Sequence, residues 1–309
     1  WRTTSSNEVL RHPNSSPSGT SASARMPRLL VIGCVLIWAV ATAWSVQRMS
    51  RLSAASFRAP APPSSLVQLA FRACCCTAWL GTLLHSYLDS NFLEISHRGR
   101  TASLRHGGRF ITFTLWCNCV LALYWMCAAA LSVTSALGVP APFWVSATAL
   151  ITWEIAFPLS WLVAIIVSYV LIPVAMKKEP HKVEILLRWR PQVLHNGYVL
   201  ACTVEMLLSA PPLVWEHFPI MILFGTTYLA FAWSVHARLG VYAYFFLDPT
   251  FSWSPLAYAL LLGATTGCFV ASFSLAQHLQ TSQTPLATSA AVLAIALATC
   301  TWRKPRAAT

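Results

Sequence analysis

The sequence predicts an all-α, polytopic transmembrane helical bundle, and three observations carry that reading. Hydrophobic residues make up 56% of the 309-residue chain and charged residues only 10%. The apolar residues come in runs of about 20, the length a helix needs to cross the hydrocarbon core. Between Leu66 and Trp302 the amphipathic faces and charged surface of a soluble domain are missing. About six core helices are expected, with an N-terminal helix of signal-anchor type and an extra C-terminal apolar segment.

The elements follow in chain order. Residues 1–25 mix Ser, Pro and Asn with scattered Arg, have nothing to bury, and are read as a disordered or untranslated leader. Met26-Pro27-Arg28 ahead of Leu29 to Val46 has the basic start and apolar core of a signal peptide or signal anchor. Gln47 to Ser65 is a linker in which Pro60, Pro62 and Pro63 stop a helix, so residues 26–65 form one targeting unit, equally suited to an organelle transit peptide. The core, residues 66–280, is expected to hold helices near 66–86, 110–136, 150–175, 194–214, 219–238 and 255–278. Residues 281–309 add a weaker Ala-rich run at 285–302 and a basic tail.

The formal charge of +12 sits mostly in short connections beside apolar runs, where it sets topology and meets anionic headgroups. No folded basic surface remains for nucleic acid. Arg98, Arg100, Arg105 and Arg109 precede the second core helix; Lys177, Lys178, Lys182, Arg188 and Arg190 follow the third. Arg238 follows the fifth, and Arg303, Lys304 and Arg306 close the chain, while connections 137–149, 215–218 and 279–284 carry neither Lys nor Arg. This alternation follows the positive-inside rule, with one exception: Arg48, Arg51 and Arg58 fall on the opposite side if the leader spans the membrane.

The ten cysteines lie inside apolar runs and read as small buried hydrophobes rather than a disulfide framework. Zinc-site spacings are absent even around Cys74-Cys75-Cys76, and no metal or organic cofactor is called for.

Thr112 and His195 stand out because each lies within about one turn of a helix start on the basic side, at similar depth. His236 and Arg238 end a helix that returns to that side. A threonine hydroxyl is a weak nucleophile unless a base takes its proton, and neutral histidine suits that task, so the pair points to acyl transfer. The competing reading is a threonine bonded to its own turn and an interfacial histidine.

The segment Arg109 to Phe113, RFITF, resembles the start of the second helix in the androgen-induced and androgen-dependent protein family, multipass hydrolases of fatty acid esters of hydroxy fatty acids. Ile155 to Val163 resembles that family's third helix; His195 precedes Val204-Glu205-Met206 at the spacing of its catalytic His; Trp233 to Leu247 resembles the exit from its fifth helix. The resemblance covers roughly Leu66 to His278. It implies that Thr112 is the nucleophile and His195 the base, acting on a lipid ester with the bilayer as surroundings. Phe245, where the family tends to have Pro, the run Asn196-Gly197-Tyr198 and the C-terminal apolar run depart from its pattern.

Other polar residues complete the expectation. Arg109 is placed to attract a substrate carboxylate, and His236 to support the pair. Glu205, about 15 Å along the helix from His195, is too far to hold the imidazole and reads as a structural partner or a substrate contact. Asn118 is expected to glue helices, Glu154 to be interfacial, Asp248 to be a candidate for orienting His195, and Gly263 with Gly267 to permit close packing. The endoplasmic reticulum, plasma membrane or an organelle membrane would suit the chain. A non-enzymatic multipass transporter or scaffold is the rival reading, disfavoured because polar residues thin out away from one face.

Overall fold

The computed structural model describes residues 22–57, 65–89, 93–178, 183, 186–281 and 285–300, and these build an all-α bundle with one short hairpin. Its helices are α1 (Ala22–Met49), α2 (Leu66–Leu88), α3 (Phe113–Ala136), α4 (Phe143–Ile165), α5 (Ile172–Lys178), α6 (Trp189–Gln192), α7 (Tyr198–Ser209), α8 (Phe218–Leu239), α9 (Ser254–Thr281) and α10 (Pro285–Thr299). Two π turns, Ile166–Leu171 and Val193–Gly197, join α4 to α5 and α6 to α7. Among the described residues six spans are long and apolar enough to cross a membrane, which gives the chain the build of an integral multipass membrane protein. The expected leader up to Ser21, Arg58, the three linker prolines, Lys182 and the basic tail lie outside the described residues.

Local chemistry explains where the helices start and stop. A capping box of Ser65 and Gln68 opens α2. α4 begins at Phe143, earlier than the expected 150, because Pro142 serves as its N-cap. α7 stops at Ser209, short of the expected 214, because Ala210 turns left-handed (φ 40°) and Pro211-Pro212 cannot continue a helix. Between α2 and α3 the chain makes an unexpected hairpin of β1 (Leu93–His97) and β2 (Arg100–Leu104), paired antiparallel with Ile95 opposite Ala102. Arg98 and Gly99 both have positive φ, as a two-residue hairpin turn requires. Ile95 and Leu104 pack with Ile111 and Val241.

The core is aromatic, with Trp125, Trp153, Phe157, Tyr198 and Phe269 fully buried. Within it lies a charge pair. Arg72 donates to Glu205 Oε1 through Nε and Nη2 at 2.9 and 2.6 Å, and the Tyr124 hydroxyl donates to the same oxygen at 2.8 Å. The guanidinium also reaches Ser132 and Ser209, at 2.7 and 2.9 Å. One network therefore ties α2, α3 and α7 together at the end of the bundle remote from the hairpin.

Glu154, expected to be interfacial, is buried within the protein against the α7–α8 connection. Its carboxylate accepts the Val214 N–H at 2.8 Å and lies 2.7 Å from His217 Nδ1, while His217 Nε2 reaches the Ser56 hydroxyl at 3.2 Å. Phe57 stacks on the same ring. A carboxylate in an apolar interior must find such partners, and here they fasten the α7–α8 connection to the segment after α1.

Helix α1 is a packed member of the bundle. Trp38 meets Trp233 near the end of α8 (5.7 Å between ring centroids) and Trp44 meets Phe218 at its start (5.8 Å), so α1 runs antiparallel to α8. Arg48 and Arg51 therefore stand at the end remote from the hairpin, the exception already visible in the charge pattern.

The Arg72–Glu205 pair yields a stability test. Glu205→Gln leaves a buried guanidinium without its counter-charge and is expected to cost about 3–5 kcal/mol. Combining it with Arg72→Met is expected to recover much of that loss. Thermal unfolding of detergent-purified variants checks this: additive losses in the double variant would show that the two side chains do not act as a unit.

Candidate active site at the start of helix α3

Helices α3 and α7 run parallel and in register. The Tyr124 hydroxyl bonds Glu205, the Tyr198 hydroxyl bonds the Cys117 carbonyl at 3.4 Å, and Thr114 Oγ1 lies 3.5 Å from His195 Nε2; each pair is separated by 81 residues. A constant offset means equal depth along both rods. The two helices thus enter from the same face, as expected, and the histidine is brought to the N-terminal turn of α3.

The hydroxyl it meets belongs to Thr114, not Thr112. Thr112 is the N-cap of α3 with extended backbone (φ −85°, ψ 139°), but its side chain caps no N–H of the helix; it donates instead to the Arg109 carbonyl at 3.2 Å. Tyr244 stands beside this turn, lining the same cavity as Phe113 and Thr114. Burial pushes its phenol above the ordinary value, and its interactions with Thr114 and Phe113 only partly offset that, so Tyr244 stays neutral at physiological pH.

His195 is 9% exposed and sits in the π turn Val193–Gly197, a local widening found often at functional sites. Among the described residues no carboxylate contacts it. Its 3.5 Å contact with Thr114 is long for a hydrogen bond, as catalytic pairs often are before substrate draws them together.

Beneath this polar cluster lies an apolar cavity of about 150 Å³. Phe113, Thr114 and Tyr244 line one end, and α1, α4, α8 and α9 supply the walls, including Trp38, Leu162, Gly225 and Leu262. Neither Thr112 nor His195 lines it; Thr114 is the link between the cavity and the imidazole.

The remaining sequence candidates fall elsewhere. Arg109 Nη1 is 2.9 Å from the Asp89 carboxylate, an ion pair between the entry to α3 and the end of α2 rather than a rim cation facing substrate. Glu205 takes the structural option, held by Arg72 and Tyr124. His236 stacks on Tyr242 (4.1 Å, 6°) beside His97, and Asp248 is held by His97 and Arg98, so these residues build the loop after α8 instead of the imidazole's support. Asn118 glues helices as expected, accepting from Trp79 Nε1 at 2.9 Å and donating to the Thr114 carbonyl at 2.7 Å. Sequence reasoning missed Thr114, Tyr244 and Arg72. Only Arg72 carried a signal, since a lone arginine inside an apolar run demands a buried partner. Among the described residues no group of three or more His, Cys, Asp or Glu gathers as a metal site.

No family model matches the chain, and neither the curated proteins nor the solved structures contain a significant match.

The loop that carries Tyr244 is latched to the hairpin. Asp248 lies 2.9 Å from both His97 Nε2 and Arg98 Nε, and accepts the N–H and hydroxyl of Thr250 at 2.9 and 2.7 Å. Gly240 turns the chain out of α8 with φ 71°, and a Cβ there would fall 2.5 Å from Arg100 Nη1, so glycine suits this close approach. Burial alone would raise the Asp248 carboxyl, but Thr250, His97 and Arg98 outweigh it and hold the group below its ordinary value. A carboxyl depressed in the folded state contributes stability above its unfolded value of about 4, and that stability is lost as pH falls through the lower folded value. Amide-exchange protection of residues 241–250 is therefore expected to drop when the wild type is acidified through this range. Asp248→Asn should lower protection already at neutral pH, by about 1–3 kcal/mol, and remove the acid step. An acid step retained in that variant would assign it to another group.

Proposed function

We propose that this protein is an integral membrane hydrolase of lipid esters, with His195 as general base and a threonine at the start of α3 as nucleophile. The observation that carries the reading is the Thr114–His195 contact at the polar end of an otherwise apolar cavity. The resemblance of Arg109 to Phe113 points to Thr112 and the distances point to Thr114, two positions on one turn that a single experiment separates.

The chemistry follows from the residues present. His195 removes the hydroxyl proton; the oxygen attacks the ester carbonyl; the resulting oxyanion is met by the dipole at the start of α3, with the neutral Tyr244 phenol beside it. Collapse breaks the ester C–O bond, the leaving alkoxide takes the proton from His195, and an acyl-threonine remains. Water, deprotonated by the same histidine, then releases the acid and restores the hydroxyl. No metal or redox partner is needed to balance these steps. The preferred substrate class is a fatty acid ester of a hydroxy fatty acid, reached laterally from an endoplasmic reticulum or plasma membrane bilayer.

A fluorophosphonate probe tests the reading on detergent-treated membranes. Wild type is expected to label, and His195→Ala and the Thr112→Ala/Thr114→Ala double variant to lose labelling by at least about 100-fold. Of the single variants, Thr114→Ala should lose labelling if the resting geometry is the reacting one, and Thr112→Ala if the family resemblance governs. Equal labelling of all variants, or none of wild type, would replace the enzyme with a non-catalytic membrane protein.

A further inference from the structure

The walls of the cavity show which end of a ligand they can hold. Their polar groups are already engaged: Trp38 Nε1 donates to the Thr226 carbonyl at 2.9 Å, the Tyr228 hydroxyl to Ile111, and the Tyr258 hydroxyl to Leu247. Thr226 and Thr265 turn their hydroxyls onto their own helices, toward the Leu223 and Leu261 carbonyls. Thr114 and Tyr244 are the polar lining residues that remain, and Thr114 is the one that also meets His195. The cavity therefore suits a molecule with one polar end and an apolar tail.

Its long direction follows the helices. On α8 the wall runs from Leu229, near the α3 entrance, back to Ile222, and on α9 from Tyr258 to Thr265, each a distance of about 10 Å. Midway along the α8 wall stands Gly225, flanked on the same face by Ile222, Thr226 and Leu229. A Cβ built there meets no atom within 4 Å. Side chains on a helix lean toward its N-terminus, so any side chain at this position would lean toward Ile222, away from Thr114. Glycine inside a membrane helix forfeits packing unless its missing side chain leaves useful room.

We propose that the cavity holds one unbranched acyl chain with its carbonyl at Thr114, and that the space left by Gly225 sets how long that chain can be. The proposal rests on the hydrolase reading and deepens it by assigning the acyl half of the ester to this cavity. Helix α1 then has a functional place, because Ile37, Trp38 and Ala41 close the wall beside α8.

Turnover of p-nitrophenyl butanoate and octanoate by the detergent-purified protein tests it, comparing wild type with Gly225→Ala and Gly225→Leu. The Leu variant is expected to keep its butanoate rate within about twofold and to lose octanoate turnover by about 10- to 100-fold, the cost of forcing methylenes into filled space. Preserved butanoate turnover also shows that the variant folds. If leucine prevents folding, the Ala variant decides: a fall confined to octanoate supports the assignment, and a uniform fall or none overturns it. An unchanged ratio of long- to short-chain rates in the Leu variant overturns the gauge while leaving the hydrolase standing. If wild type hydrolyses no ester, the hydrolase reading fails by itself, and cis-parinaric acid fluorescence then judges the cavity. Binding that weakens in the Leu variant supports an acyl site; equal binding in both proteins, or none in wild type, overturns it.

Discussion

The site depends on an ion pair at the opposite end of the same helices. Arg72 brings Glu205 to Tyr124, and this sets α7 against α3 at an offset of 81 residues. Ten residues back along each rod, the same offset delivers His195 to Thr114. A carboxylate in an apolar interior has few acceptable positions, so its pairing defines axial register more sharply than nonpolar contacts do, which tolerate small slides. The pair contributes little net attraction after desolvation; its value here is positional.

A division of labour between the two ends follows. The remote end carries Arg72 with Glu205 and Glu154 with His217, which fasten connections and fix helix order. The other end carries the hydrogen-bonding groups Thr114, Tyr244 and His195, over a cavity whose walls have spent their own polar atoms. The hairpin and the loop after α8 hold this end through Asp248, so the Tyr244 phenol is positioned by a latch outside the spans.

Much of this organisation was legible in the chain. Long apolar runs announce helices, alternating basic connections announce which ends share a face, and their agreement placed the starts of α3 and α7 together before any contact was known. Proline explains the main boundary differences, at Pro142 and Pro211-Pro212, where local backbone rules outweigh hydropathy. The hairpin escaped notice because its strands are short and polar, and its Arg98-Gly99 turn is a weak signal beside long apolar helices. The burial of Glu154 escaped notice because it comes from the α7–α8 connection folding over it, distant in the chain.

The sequence by itself determined the helical membrane build, the shared face of Thr112 and His195, and the choice for Glu205 between a structural partner and a substrate contact, because these follow from hydrophobic length, charge alternation and the cost of a buried carboxylate. Only the tertiary structure decided that Arg72 is that partner, that Thr114 is the hydroxyl facing the imidazole, and that Arg109 and Asp248 serve as struts. Those choices depend on rotation of each helix about its axis. Rotation is set by side chains from neighbouring helices far away in the chain, to which one-dimensional periodicity is blind when nearly every face is apolar.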